Sequence, residues 1–146
     1  MVIEQCCWDY QGKCFETVTD TTYGFVYLIK SIEDGRIYVG KKAFTHRCKK
    51  KISKRVIKST KTRKRIEVTA KDSGWLNYWG SSKELLQEIN LKGKNNFTRC
   101  ILSFAKNKSD LSLKELEEQI KHNVLRVPSF NNWIGAKVYK RFINET

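Results

Sequence analysis

Phe25-Val26-Tyr27-Leu28-Ile29, then Asp34-Gly35, then Arg36-Ile37-Tyr38-Val39-Gly40 is the stretch that decides the fold. Both runs are rich in β-branched and aromatic residues, which suit a pleated, half-buried surface. Asp-Gly between them is the pair a tight hairpin turn favours, because its glycine takes a positive φ at no steric cost. The stretch therefore predicts an antiparallel hairpin. Tyr27 and Tyr38 then fall on adjacent strands and can share one face of the sheet.

Immediately downstream the composition changes. Residues 41–71 hold fourteen Lys or Arg and one acid, Glu67. Lys49-Lys50-Lys51 and Arg63-Lys64-Arg65 cannot be buried. Ile52, Val56 and Ile57 give one short helix a weak apolar side, and the rest reads as an exposed basic loop or arm. So many unopposed charges exceed what solubility requires. The expected contacts to a polyanion are Lys41, Lys42, Lys49, Lys50, Lys51, Lys54, Arg55, Arg63, Lys64 and Arg65.

Beyond the arm, Gly74 to Gly80 is an aromatic segment. Its Trp75, Tyr78 and Trp79 read as packing residues that close the domain, with base stacking as the alternative. Ser81 or Ser82 reads as an N-cap for a helix carrying Leu85, Leu86 and Ile89 and stopping near Gly93. Phe97 to Phe104 reads as a third strand. A last main helix begins near Ser109 or Asp110, carries Leu113, Leu116, Ile120 and Val124 at helical spacing, and ends by Pro128. The tail from Asn131 folds back on the sheet. Residues 1–23 give no clear element. The order predicts one α+β domain over 1–146, a small three-stranded antiparallel sheet flanked by helices with a long basic insert.

The whole chain agrees. Its 146 residues carry a net charge of +14, with four Trp, six Tyr and seven Phe to build a core. A charge excess of that size calls for a polyanionic partner, and nucleic acid gains affinity from counterion release alone. No apolar run is long enough to cross a membrane, and no basic amphipathic helix with an aromatic face stands out. Met1 to Tyr10 carries Glu4 and Asp9 and lacks the apolar core of a signal peptide, so a cytoplasmic location is expected. Cys6, Cys7, Cys14, Cys48 and Cys100 do not have zinc-site spacing and read as free thiols in a reducing compartment.

The paired tripeptides Phe25-Val26-Tyr27 and Tyr38-Val39-Gly40, with their tyrosines eleven apart, resemble the motifs that name the GIY-YIG nucleases. Phe25 and Val26 replace the glycine and isoleucine of the first motif, and Val39 replaces the isoleucine of the second. Tyr78-Trp79-Gly80-Ser81-Ser82-Lys83, Gly93 with Phe97, Ile101-Leu102, Glu115-Leu116 through Val124-Leu125, and Phe130-Asn131 extend the resemblance over residues 24–135.

The resemblance implies an endonuclease that hydrolyses phosphodiester bonds with Mg2+ or Mn2+, of a phage or mobile-element homing type, acting on double-stranded DNA. Phosphodiester hydrolysis needs an activated water, neutralised phosphorane charge and a stabilised leaving oxygen. Tyr38 is the candidate base or base relay and Tyr27 the candidate donor to the scissile phosphate. An ordinary phenol titrates near 10, so neighbouring cations, Lys41 and Lys42, must help. Arg47, with His46 beside it, is the candidate phosphate-neutralising arginine. The metal ligand is a glutamate of the last helix. The resemblance favours Glu115, whereas the apolar face drawn through Leu113, Leu116, Ile120 and Val124 lies nearest Glu117 and turns Glu115 and Glu118 outward. Asn131, or Asn132 if the register slips, is a phosphate contact or a brace for the site. One site cuts one strand, so a double-strand break requires a homodimer or sequential cuts. A non-catalytic DNA-binding protein and an RNA-directed protein on the same fold are the competing readings.

Overall fold

The computed structural model describes residues 7–61, 63–135 and 140–143. Cys6 and residues 136–139 and 144–146 of the tail lie outside the described residues. The element order is β1 (Trp8–Tyr10), β2 (Lys13–Phe15), β3 (Gly24–Ser31), β4 (Ile37–Ala43), β5 (Thr45–Lys51), α1 (Lys54–Thr60), β6 (Ile66–Asp72), α2 (Lys83–Lys92), β7 (Phe97–Ala105), α3 (Lys108–Lys121) and α4 (Lys140–Ile143). The class is α+β, as expected.

The hairpin forms as β3 and β4, paired antiparallel from Gly24↔Ala43 to Lys30↔Ile37. Its turn is wider than a two-residue loop. Ser31 N–H donates to Arg36 O across 2.9 Å, and Gly35 takes a φ of 74° inside the enclosed loop. β7 pairs antiparallel with the other side of β3, with a bulge opposite Val26 and Tyr27.

The sheet is larger than the expected three strands. Residues 8–15 form a hairpin whose β1 pairs parallel to β7, giving a five-stranded sheet in the order β2-β1-β7-β3-β4. The anchor is Trp8, fully buried, whose indole N–H donates to Trp75 O at 2.8 Å. Across the same hairpin Cys7 and Cys14 form a disulfide, so the free-thiol expectation fails for those two, whereas Cys48 and Cys100 are free.

The basic insert is also more ordered than a loop. β5 and β6 form a separate two-stranded antiparallel sheet in register from Thr45↔Asp72 to Lys51↔Ile66, with α1 near its tip. The ribbon is rooted by Phe44, which is buried, and by Ser73, whose N–H and Oγ donate to Phe44 O and Ala43 O.

One face of the five-stranded sheet packs Phe25, Tyr27 and Ile29 against Trp75, Trp79, Leu85 and Ile89. Thus Trp75 and Trp79 are packing residues. Arg99 ties this segment to β1, its guanidinium lying 4.4 Å from the rings of both Trp8 and Trp79 and donating to Tyr78 O and Leu76 O. The other face packs Val26 and Val39 against Leu111 of α3 and Val124. α2 keeps its expected course, with Ser82 as N-cap and Gly93 at the C-terminus.

Candidate active site

Tyr27 stands opposite Gly40, and Tyr38 opposite Ile29, so both phenols project from one face of the β3–β4 hairpin, with ring centroids 6.1 Å apart. A glycine at position 40 lets Tyr27 cross over β4. A Cβ built there would lie 2.5 Å from the phenol oxygen. Tyr27, only 1% exposed, thereby reaches the sheet edge and lines a cavity of about 690 Å³ with Tyr38, Lys41, Ser81, Glu115 and Asn131.

Neither phenol is poised to ionise. Burial pushes Tyr27 well above its ordinary value, and Tyr78, Tyr38 and Glu115 add to the shift. Burial also raises Tyr38, against a hydrogen bond of 3.0 Å to Ser81 that pulls it down. The expected help from Lys41 and Lys42 takes other forms. Lys42 Nζ sits 4.2 Å from the centroid of the Tyr78 ring. Lys41 donates to Ser112 Oγ at 2.9 Å and pairs with Glu115 at 3.4 Å.

Glu115 reaches the cavity because the inward face of α3 differs from the apolar one predicted. Leu111, Ser112 and Gln119 are buried, Ile120 is 62% exposed, and Val124 lies beyond the helix end. The face rule assumes an apolar interior, and here polar side chains line the inside because they serve the edge of β4. Glu117 is exposed and does not line the cavity, and Glu118 pairs with His122. Burial raises the Glu115 carboxyl above its ordinary value, while the charge and hydrogen bond of Lys41 pull it back.

Asn131 sits on the edge of β4. Pro128 and Phe130 continue the sheet by bonding Ile37 through their backbones, and the Asn131 amide then takes the next place. Its Oδ1 accepts from Val39 N–H and its Nδ2 donates to Val39 O, both at 2.9 Å. The side chain imitates a strand residue, which makes Asn131 a brace. Asn132 lines the same cavity without that bond pair.

Arg47 stands apart. It lies exposed on β5 and does not line the cavity. Lys49, Lys50 and Lys51 are on β5, Lys54 and Arg55 on α1, and Arg63, Lys64 and Arg65 in the connection to β6, all exposed.

Several lining residues escaped the sequence reading, Ser81, Lys83, Gln119 and Trp133 among them. Ser81 and Lys83 lie at the N-terminal end of α2, whose dipole favours an anion there. Gln119 donates to Val39 O at 3.2 Å, and a polar residue four after Glu115 on one helix was its available signal. Trp133 stands at the rim, 75% exposed.

The donor set suits a hard divalent cation. Two carboxylates line the cavity, Glu115, half-buried, and Glu84, exposed and paired with Arg36 at 2.6 Å, and Mg2+ keeps several waters and takes few protein ligands. The one grouping of three metal-type ligands among the described residues, Cys7, Cys14 and Glu16, lies elsewhere. Its two sulfurs are joined in the disulfide and are not thiolates.

A family model described as "Putative endonuclease segE, GIY-YIG domain" matches residues 8–139. No curated protein and no solved structure matches the chain.

Proposed function

The chain belongs to the GIY-YIG endonuclease family, and from that premise we propose that it is a metal-dependent endonuclease of double-stranded DNA, of the homing type. The observation that carries the reading is the convergence of Tyr27, Tyr38 and Glu115 on one cavity beside the N-terminus of α2. These groups come from three elements, and packing alone gives no reason for a half-buried carboxylate to face two phenols.

Glu115 holds the divalent ion, Mg2+ or Mn2+. Such an ion supplies charge for the phosphorane and the leaving oxygen. Tyr27, kept protonated by its burial, donates a hydrogen bond to a phosphate oxygen. Tyr38 positions the attacking water. Its raised titration argues against a free phenolate, so it acts as a relay. The proton of water reaches the Tyr38 oxygen as the phenol proton passes to Ser81 Oγ and the Ser81 hydroxyl proton passes to solvent. Lys41 and Lys83 bring positive charge to the cavity, and Lys42 lies beside it. Arg47, placed on the ribbon, contacts a phosphate away from the scissile one. Lys49, Lys51, Lys54, Arg55, Arg63, Lys64 and Arg65 supply salt-dependent affinity for the backbone. A double-strand break needs two such sites, from a homodimer or from sequential nicking.

The test is incubation with supercoiled plasmid, with Mg2+ or with EDTA, beside Tyr38→Phe, Glu115→Ala and Glu117→Ala. The expected result is metal-dependent nicking or linearisation, lost in Tyr38→Phe and Glu115→Ala and kept in Glu117→Ala. Salt-sensitive DNA binding with no cleavage across varied substrates would make this a non-catalytic binding protein, and stronger action on RNA would change the substrate.

A further inference from the structure

The ribbon of β5 and β6 has two unlike faces. In an antiparallel pair, partners across the ladder share a face and neighbours along a strand alternate. The register therefore puts Arg47, Lys49 and Lys51 on one face, beside Ala70, Val68 and Ile66. His46, Cys48 and Lys50 point the other way, with Lys71, Thr69 and Glu67. Beyond Thr45 and Asp72 at its root, the first face is a row of cations along one strand and a row of apolar side chains along the other. The second mixes charges of both signs.

Among the described residues the first face has no partner. All seven residues of β6 are exposed, and so is each of the three cations. Val68 is 52% exposed and Ile66 49%. A lone two-stranded hairpin is marginal in water, and half-exposed Val68 and Ile66 bury little apolar surface there. The root is nonetheless fixed to the core through Phe44 and Ser73.

We infer that this face enters the major groove of duplex DNA, its cations on the phosphates of the groove walls and Val68 and Ile66 against thymine methyl groups. The inference rests on the reading of DNA as substrate. A two-stranded ribbon fits the width of the major groove, and apolar side chains there read the thymine methyl. Seven residues at roughly 3.3 Å each span about seven base pairs. The ribbon begins four residues after Lys41, so a duplex on the ribbon passes close to the cavity. A second copy of the chain is a poor occupant, because it would bring two cationic rows together. Double-stranded RNA is another, because its major groove is too narrow for side chains to read.

Two charge-matched pairs test this. Lys49→Gln with Lys51→Gln removes two charges from the proposed face, and Lys50→Gln with Lys71→Gln removes two from the other. All four lysines are exposed, and a thermal melt of each variant checks that the fold is kept. Binding to a thymine-containing duplex of about 24 base pairs is measured in EDTA over a range of salt. The first pair should flatten the dependence of log Kd on log salt by about two, and the second pair should change it by well under one. Replacing thymine by uracil should weaken wild type about fourfold per lost methyl contact and leave a Val68→Ala, Ile66→Ala protein unaffected. Equal losses from the two pairs, or binding to double-stranded RNA as tight as to DNA, would overturn the inference, as would binding to anionic vesicles tighter than to DNA. Cleavage with Mg2+ is scored separately. A protein that cuts with equivalent faces overturns only the groove assignment, and one that binds face-selectively without cutting overturns only the nuclease.

Discussion

Gly40 leaves room for Tyr27: a Cβ at position 40 would sit 2.5 Å from the phenol oxygen and 2.7 Å from the ring carbon that bears it. Neither partner yields cheaply, because the Tyr27 ring is wedged among Trp8, Phe25, Tyr38 and Tyr78. Gly40→Ala should therefore push the phenol out of the cavity. Overpacking of this kind costs about 1–3 kcal/mol, and cleavage should fall at least a hundredfold while duplex affinity in EDTA stays within twofold. Thermal unfolding and a plasmid assay measure the two effects. Unimpaired cleavage by a folded Gly40→Ala protein would mean that the placement of Tyr27 is irrelevant to catalysis.

Asn131 holds the edge of β4 at the residue between Tyr38 and Gly40. Asn131→Ala leaves Val39 N–H without its partner, and Val39 O keeps only Gln119. An unmade buried hydrogen bond costs about 1–3 kcal/mol, so a lower melting temperature is expected. Asn131→Asp separates bracing from phosphate contact. Its carboxylate still accepts from Val39 N–H but faces Val39 O without a donor, so it should be destabilised as well. If the melting temperature of both variants matches wild type while activity falls, Asn131 is a phosphate contact and not a brace.

The hairpin was legible because strand formers flanked a turn pair, and the order of the elements then made Phe97 to Phe104 a third antiparallel strand. The β1–β2 hairpin was not, because three-residue strands carry too little pattern and their stability comes from one distant contact, Trp8 with Trp75. The ribbon hid for a related reason. A strand with seven exposed residues shows no alternation between inside and outside. Glu115 was found through family resemblance and missed by periodicity, since Ser112 and Gln119 occupy positions that the pattern reserves for apolar side chains. Arg47 fell off the cavity because Phe44 turns into the core and directs residues 45–51 along the ribbon.

Trp133 offers a built-in reporter of substrate. Trp8, Trp75 and Trp79 are 0%, 3% and 6% exposed, against 75% for Trp133. Its indole stands on the rim of the cavity, where a base flanking a bound phosphate would meet it. Base stacking on an aromatic side chain contributes about 1–3 kcal/mol. DNA added in EDTA should quench the solvent-exposed part of the tryptophan emission. Trp133→Phe should abolish most of that quench, and Trp133→Ala should weaken binding roughly tenfold. A quench that persists in Trp133→Phe would place the contacted aromatic elsewhere.

The acid limb of activity should report Glu115. Burial is the largest influence on its carboxyl and raises it above the ordinary value, with Lys41 opposing. Metal binding needs the ionised form, so cleavage should fall as pH drops through a value above that of a free glutamate. Lys41→Met removes both opposing influences, and the acid limb should then move to still higher pH. The stability consequence has the opposite sense. A folded carboxyl with a raised pKa binds its proton more tightly than the unfolded chain does. This stabilising contribution is full below the unfolded value and is lost as pH rises through the folded one. Glu115→Gln, which never ionises, should therefore melt higher than wild type at neutral pH in EDTA while failing to cut, and the difference should shrink toward pH 4. A Glu115→Gln protein that melts lower than wild type at neutral pH would show that the Lys41 pair outweighs burial, reversing the sign of the argument.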